Sequence, residues 1–138
     1  MIEINNLTTD PVDEEFLKKV AKMVLEDEKK GQVANLSIAL VGQGRMRKLN
    51  KKYIGKNRVT DVLAFPNKEI GLGEIIICPR EVKKNAKRFN QDFETELARV
   101  LIHGILHLVG YEHEKSEKNA KMMREKEERY LLNILKIK

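Results

Sequence analysis

The sequence predicts a single α+β domain in which about five helices cover a mixed sheet of about four strands. The order of the predicted elements supports this class, because it runs strand, helix, strand, helix, two strands and then three helices. One of the last helices is apolar around most of its circumference, so we expect it in the core. We find neither a repeat nor a linker, and 138 residues suit one core, so the domain covers 1–138.

The start of the chain reads as a strand followed by an amphipathic helix. Residues 1–7 alternate enough for a short strand. Asp10 is typical of a helix N-cap, and Pro11 is typical of the first helical position. The apolar spacing that follows predicts a helix over 11–29, which ends near Gly31.

The middle of the chain contains short strands and more polar helices. Apolar runs between turn residues predict strands over 36–41, 60–65 and 72–78, and apolar faces predict helices over about 44–53 and 79–90. The helix that we expect in the core covers about 92–109. Ser116 can cap a last helix that extends to about residue 135. Its inner face would be formed by Met122, Met123, Tyr130, Leu131 and Ile134.

The composition limits the classes of protein to which the chain can belong. The formal net charge is +6, which is compatible with a polyanionic partner. No apolar run approaches the roughly 18 residues of a membrane span, and residues 1–10 lack the features of a signal peptide. The single cysteine, Cys78, excludes an intramolecular disulfide and fits a reducing compartment. We therefore expect a cytoplasmic protein without a membrane anchor.

All three histidines of the chain lie within the segment 103–113. Residues four apart in a helix differ by about 40° in direction and about 6 Å in rise, so His103 and His107 share one face. Gly110 is suited to end that helix in a left-handed conformation, and His113 can then approach from outside it. Three protein ligands leave one position of a zinc ion open to water, as in catalytic zinc sites. The spacing therefore predicts one Zn²⁺ per chain.

A histidine pair at this spacing is often only part of a helix surface, but here the helix is apolar and a third histidine follows. The pattern H-x-x-x-H-x-x-G-x-x-H matches the metzincin metallopeptidase signature except at one position. Those enzymes have a glutamate, the general base, directly after the first histidine. This chain has Gly104 there, which cannot accept a proton. Glu112 lies beside the third histidine, but nothing in the spacing gives it the geometry of that base.

Three segments of the chain contain motifs that resemble those of one known family. The first segment, HGILHLVGYEH over 103–113, resembles the histidine signature of the bacterial YbeY family of endoribonucleases. Leu49-Asn50, Tyr53 and the run TDVLAFP over 60–66 resemble its LN…Y…TDVLSFP block, and GEIIIC over 73–78 resembles its G-[DE]-I-x-I-C strand. The resemblance extends from about residue 36 to residue 125. It implies an endoribonuclease that acts in ribosomal RNA maturation.

The resemblance also implies roles for single residues. The three zinc ligands of the family fall on His103, His107 and His113. The family usually has an arginine that is linked to function directly after the aromatic residue of the second block, and this chain has Ile54 there. Arg58 is our candidate for supplying the missing charge, and Glu112 is a second candidate catalytic residue.

Basic residues are concentrated in two segments. The first segment lies between Gly42 and Thr60, has no acidic residue, and contains Arg45, Arg47, Lys48, Lys51, Lys52, Lys56 and Arg58, to which we assign RNA binding. The second is interrupted only by Glu81 and contains Arg80, Lys83, Lys84, Lys87 and Arg88. Both suit a phosphate backbone, although a run of charge is more often a solvated helix face. Tyr53 and Phe65 suit either stacking on bases or the core.

Acidic residues provide few candidates for the site. Residues 112–129 carry dense charge of both signs, which is typical of an exposed helix face. Asp61 and Glu74 lie on predicted strands, where they could support a metal-bound histidine or have only a structural role.

We hypothesise a zinc-dependent, single-strand-specific endoribonuclease of ribosomal RNA processing and ribosome quality control, especially of the 3′ end of small-subunit ribosomal RNA. Its expected partners are ribosomal RNA and the ribosome or small-subunit proteins. Two alternatives stay open. One is a metallopeptidase-like hydrolase with Glu112 or another carboxylate as base, and the other is a non-catalytic ribosome assembly factor whose metal only stabilises the fold.

Overall fold

The computed structural model describes residues 1–29, 34–111 and 116–137, which form four strands and five helices. The strands are β1 (Ile2–Asn6), β2 (Leu36–Leu40), β3 (Val62–Pro66) and β4 (Gly73–Ile77). The helices are α1 (Glu14–Lys29), α2 (Gln43–Ile54), α3 (Pro79–Arg88), α4 (Phe93–Leu108) and α5 (Glu117–Ile137). None of the helices in these ranges is long and apolar enough to cross a membrane. The predicted α+β class is confirmed.

The four strands form one mixed sheet in the order β1-β2-β4-β3. β1 pairs with β2 and β2 pairs with β4 in parallel, whereas β3 pairs with β4 antiparallel. A parallel pair needs a crossover connection, and α1 provides it between β1 and β2. The three parallel strands therefore all have their C-terminal ends at the same end of the sheet. β3 is an edge strand, next to β4.

Helices cover both faces of the sheet, because successive side chains of a strand point to opposite faces and both sets are apolar here. The larger face packs against α1 and α4, and α5 packs on α4. The strand residues of this face include Leu36, Ile38, Leu40, Ile75 and Ile77. The smaller face packs against α2 through Met46, with Leu63, Ile76 and Cys78 from the β3–β4 side. The core is therefore divided by the sheet, and its larger part lies under α4.

α4 is the central helix and contacts α1, α3, α5, β3 and β4. Its N-cap is Asp92, whose side chain accepts a hydrogen bond of 2.7 Å from the backbone N–H of Thr95. At Gly104 the helix lies directly on the sheet, since a Cβ added there would be 3.2 Å from Cδ1 of Ile75. The predicted central and buried position of this helix is confirmed.

A polar cluster holds α5 against the end of α1. The Nζ of Lys126 donates a hydrogen bond of 2.9 Å to Oε2 of Glu28. The hydroxyl of Tyr130 is in hydrogen-bonding contact with the carboxylates of Asp27 and Glu28. Burial raises the pKa of Tyr130 and the two carboxylates raise it further, so the hydroxyl keeps its proton. These contacts lie on either side of residue 127 and fix that turn of α5.

Three local predictions are wrong for identifiable reasons. The first helix begins at Glu14 because Asp13, not Asp10, is its cap; Oδ1 of Asp13 accepts a hydrogen bond of 3.1 Å from the N–H of Phe16. The third strand begins at Val62, two residues later than predicted. Met122 is 43% exposed because adjacent helical residues differ by about 100° and Met123 takes the inward position.

Two other local predictions fare differently. The capping role of Ser116 is confirmed, because its Oγ accepts a hydrogen bond of 3.1 Å from the N–H of Asn119. The predicted end of the first helix near Gly31 lies outside the described residues.

We expect Gly73→Ala to destabilise the protein by about 2 kcal/mol or more. Gly73 has a φ of +150°, and an added Cβ would lie 2.4 Å from the carbonyl oxygen of Phe65, so the pairing of β3 with β4 would have to shift. Gly44→Ala is the matched control, because an added Cβ there meets nothing within 4 Å. Urea unfolding measures both variants, and a wild-type midpoint for Gly73→Ala would contradict the expectation.

Candidate metal centre

His103 and His107 lie one turn apart on α4 and converge. Their Nε2 atoms are 3.1 Å apart, and their rings are inclined by 79° with centroids 4.7 Å apart. Two nitrogens that each lie 2.0–2.1 Å from one tetrahedral zinc ion would be about 3.3 Å apart. The pair therefore presents two ring nitrogens at nearly the separation that one ion requires, and the same distance suits an N–H···N hydrogen bond between the rings.

α4 ends directly after the histidine pair. Gly110 has a φ of +110°, in the left-handed region that favours glycine. The backbone N–H of Gly110 donates to the carbonyl of His107 at 3.2 Å, and that of Tyr111 donates to the carbonyl of Leu106 at 3.0 Å. These hydrogen bonds form the C-terminal cap of the helix, and the predicted role of Gly110 in ending it is confirmed.

The third predicted ligand, His113, and the candidate base Glu112 lie outside the described residues. Among the residues of 1–29, 34–111 and 116–137, no group of three His, Cys, Asp or Glu side chains could hold a metal ion. The pair on α4 fits two positions of a zinc ion, and the third position stays a prediction that depends on His113.

Glu127 of α5 orients the ring of His103. Its Oε1 lies 2.9 Å from Nδ1 of His103, and its side chain is only 17% exposed. In a neutral imidazole, a carboxylate that accepts a hydrogen bond from Nδ1–H selects the tautomer with an unprotonated Nε2, and Nε2 is the atom that faces His107. Metal-binding histidines commonly have such a partner on the second ring nitrogen.

The sequence interpretation of 112–129 as an exposed helix face is wrong at Glu127. A signal for this residue is present in the spacing, because Glu127 belongs to the same helical stripe as the buried Met123, Tyr130 and Ile134. A carboxylate in an apolar stripe needs a partner inside the protein. The identity of that partner depends on how α5 packs against α4, which the spacing does not specify.

A buried ion pair on α4 extends this network. Glu96 is fully buried, and its carboxylate accepts two hydrogen bonds from Arg99, of 2.9 Å from Nε and 2.5 Å from Nη2. These bonds raise the pKa of Arg99. Nη1 of Arg99 lies 4.0 Å from Oε1 of Glu127. The side chains of Glu96, Arg99, Glu127 and His103 therefore form one connected series between α4 and α5.

The histidine pair opens into a cavity of 680 Å³ between α4 and β3, which we call the histidine cavity. Three basic residues line it, namely Lys56 and Arg58 from the segment after α2 and Arg99 from α4. Ile54 and Asp61 line it as well, so the residue that departs from the family pattern shares this cavity with Arg58. The cavity combines nitrogen ligands with cations, which suits an anionic substrate.

The structure divides the predicted RNA-binding residues into two groups. Lys56 and Arg58 line the histidine cavity, and the amide of Asn50 holds their segment by donating a hydrogen bond of 3.0 Å to the carbonyl of Arg58. The other five are exposed on α2 and do not line this cavity, namely Arg45, Arg47, Lys48, Lys51 and Lys52. Tyr53 is 55% exposed and packs edge to face on Phe65, with ring centroids 5.1 Å apart.

The two carboxylates that the sequence placed near the site lie differently. Asp61 lines the histidine cavity, where its Oδ2 accepts a hydrogen bond of 3.3 Å from the amide of Asn85. Glu74 lies on β4 and does not line the cavity. The carboxylate that hydrogen-bonds Nδ1 of His103 is that of Glu127.

An α+β fold with a converging histidine pair on a buried helix and cations around it defines a candidate metal-dependent nuclease. Comparison with known proteins identifies the family. The family model described as endoribonuclease YbeY matches residues 3–135. The chain therefore belongs to the YbeY family, and the resemblance seen in its three segments is confirmed.

Individual relatives are similar over most of the chain. It is 46% identical over 122 residues to endoribonuclease YbeY of Thermotoga neapolitana, with 87% of this chain and 81% of the relative covered. It is 42% identical over 121 residues to endoribonuclease YbeY of Thermotoga maritima, with 87% and 77% covered. A solution structure of a Thermotoga maritima protein is similar with a TM-score of 0.70 at 39% identity, covering 97% of this chain and 89% of that one.

We expect Glu127→Ala to weaken zinc binding by about 10- to 100-fold, because His103 loses the group that fixes its tautomer and ring orientation. Glu127→Gln should lie between this variant and the wild type, since the amide oxygen still accepts the hydrogen bond but carries no charge. Competition with a chromophoric zinc chelator measures the affinity, and circular dichroism checks the fold. Glu128→Ala is the control on the exposed side of the same turn. Equal affinities for Glu127→Ala and the wild type would contradict the assignment.

Proposed function

We propose that this protein is a zinc-dependent, single-strand-specific endoribonuclease that acts in ribosomal RNA processing, including the 3′ end of small-subunit ribosomal RNA, and in ribosome quality control. The observation that carries the proposal is the converging pair His103 and His107 inside a cavity with basic walls. Membership of the endoribonuclease YbeY family supports RNA as the substrate. Its partners would be ribosomal RNA and the ribosome or small-subunit proteins, in the cytoplasm.

The proposed roles follow from the contacts of each residue. His103, His107 and His113 would hold the ion, and a zinc ion bound there supplies Lewis-acid chemistry that polarises a phosphoryl oxygen and lowers the pKa of water. Glu127 holds His103 in the tautomer that presents Nε2. Gly104 lines the cavity beside both histidines, and its lack of a side chain lets this turn of α4 lie directly on Ile75 of the sheet.

Arg58 is the proposed cation for the scissile phosphate. It lines the same cavity as Ile54, so it can reach the region where the family's arginine would act. Arg99 also lines the cavity, but Glu96 and Glu127 already compensate its charge. Arg58 has a fixed backbone position and an exposed side chain, which leaves its guanidinium available to an incoming phosphate.

The peptidase alternative loses further support at position 104. A glutamate there would have to displace Ile75, because a Cβ at Gly104 already lies 3.2 Å from that buried side chain. The assembly-factor alternative can be distinguished from the proposal by measurement: an assembly factor would bind RNA but would not cleave it.

We expect His107→Ala to lower the rate of single-stranded RNA cleavage by more than about 100-fold while RNA affinity changes by less than about threefold, because the histidine acts on the reaction and not on docking. Cleavage is measured with labelled single- and double-stranded RNA, with a chelator and after zinc is added back. Cleavage of RNA by His107→Ala at the wild-type rate would refute the proposal. Wild-type RNA binding without any cleavage would favour the assembly factor, and zinc-dependent peptide turnover would favour the peptidase.

We expect Arg58→Ala to lower the single-turnover rate by about 10- to 100-fold, less than the loss of a buried oxyanion donor because Arg58 is exposed. Arg58→Lys should recover part of the rate, since it restores the charge without the planar fork. Arg47→Ala is the control, because Arg47 is exposed on α2 outside the cavity. If Arg47→Ala and Arg58→Ala cleave equally well, Arg58 has no role in the reaction.

A further inference from the structure

A second cavity, of 580 Å³, lies beside α3 and shares no lining residue with the histidine cavity. Its basic lining residues all belong to α3 and are Arg80, Lys83, Lys84 and Lys87. Asp10 is the one acidic residue among those that line it. We call this cavity the α3 groove, and we propose that it binds the phosphate backbone of single-stranded RNA, an inference that rests on the RNA-directed function proposed above.

The charge of the α3 groove is only partly compensated. Nε of Arg80 lies 3.8 Å from Oδ2 of Asp10, and Nζ of Lys84 lies 3.4 Å from Oε1 of Glu81. Lys83 and Lys87 form no ion pair with any carboxylate in the part of the chain that the structure describes. Like charges three and four residues apart on a helix repel each other. A bound polyanion would therefore relieve this repulsion, and it would form ion pairs with Lys83 and Lys87.

The position of the groove in the fold adds to its positive potential. The parallel strands β1, β2 and β4 all end at this edge of the sheet, where Gln43 begins α2 and Pro79 begins α3. Neither of these helices has a side-chain cap among the described residues. The basic side chains of α3 carry the proposal, and the positive ends of the two helix dipoles strengthen it.

The distance between the two cavities points to a polymer as the ligand. α4 connects them, because Phe93 at its start lines the α3 groove and His103 lines the histidine cavity. Ten residues of helix correspond to about 15 Å. Asn85 of α3 also hydrogen-bonds Asp61, which lines the histidine cavity, so α3 lies beside both cavities. A strand longer than a trinucleotide can place one phosphate at the histidines and others on α3.

The test compares Lys83→Gln/Lys87→Gln with the control Lys19→Gln/Lys22→Gln, which removes two exposed lysines from α1. Both pairs are made in full-length His107→Ala protein, so that bound RNA is not cleaved. Fluorescence anisotropy gives the affinities for a labelled single-stranded 12-mer and a trinucleotide over a range of salt concentrations. Equal urea midpoints of the variants check that the fold is unchanged.

We expect the α3 variant to bind the 12-mer about 10- to 30-fold more weakly at 0.1 M salt, and its log–log salt slope to fall by about 1.4, because each phosphate contact on a single strand contributes about 0.7. The trinucleotide, which is too short to span both cavities, should change by less than about threefold, and the control pair should leave both affinities unchanged.

Three outcomes would overturn the proposal: unchanged affinity and slope for the 12-mer, equal losses for the 12-mer and the trinucleotide, and loss of binding to small-subunit ribosomal proteins with RNA affinity intact. Cleavage of the 12-mer by protein with His107 in place is measured in parallel. If the protein with His107 cleaves the 12-mer but the α3 variant binds it as tightly as its parent does, the α3 groove is rejected and the nuclease function is retained. Absence of cleavage together with the expected loss of 12-mer binding would reject the nuclease and retain the groove.

Discussion

The packing of α4 directly on the sheet determines where the other parts of the site lie. At Gly104 the helix backbone approaches Ile75 so closely that no side chain fits between them without movement. This contact sets the distance between the sheet and the turn that carries His103 and His107. It also brings the pair beside β3, where the histidine cavity lies. Interiors are close-packed, so an enlargement at this contact would be transmitted to both histidines.

α5 completes the site from the other side of α4, and the polar contacts that hold it serve position more than stability. A buried ion pair such as Glu96 with Arg99 recovers its desolvation cost only through good geometry and further hydrogen bonds. Here the same arginine approaches Glu127, and Glu127 bonds His103. Lys126 and Tyr130 fix the flanking turns of α5 on the end of α1. Residues from three helices thus determine the orientation of one imidazole ring.

Basic charge is divided among three surfaces with different consequences. Lys56, Arg58 and Arg99 face the histidine cavity, and exposed cations on α2 and the α3 groove lie outside it. Charge near the reacting phosphate can stabilise a transition state, whereas charge elsewhere affects the capture and orientation of a polyanion and is screened by salt. The net positive charge of the sequence does not tell which cations have which role. That distinction depends on how α2, α3 and α4 are placed relative to one another.

The sequence by itself determined the features that depend on neighbours within one element. These include the α+β class, the buried helix with His103 and His107 on one face, the turn at Gly110 and the cap at Ser116, because helical period and backbone preference act over a few residues. The cap of α1 was misassigned because Asp10 and Asp13 are both suitable residues and the first turn decides between them. Only the tertiary structure decided that Glu127 supports His103, that Arg58 and not Arg47 lines the histidine cavity, and that Lys83 and Lys87 border a separate groove. Those relations join residues far apart in the chain, and packing of the helices on the sheet brings them together.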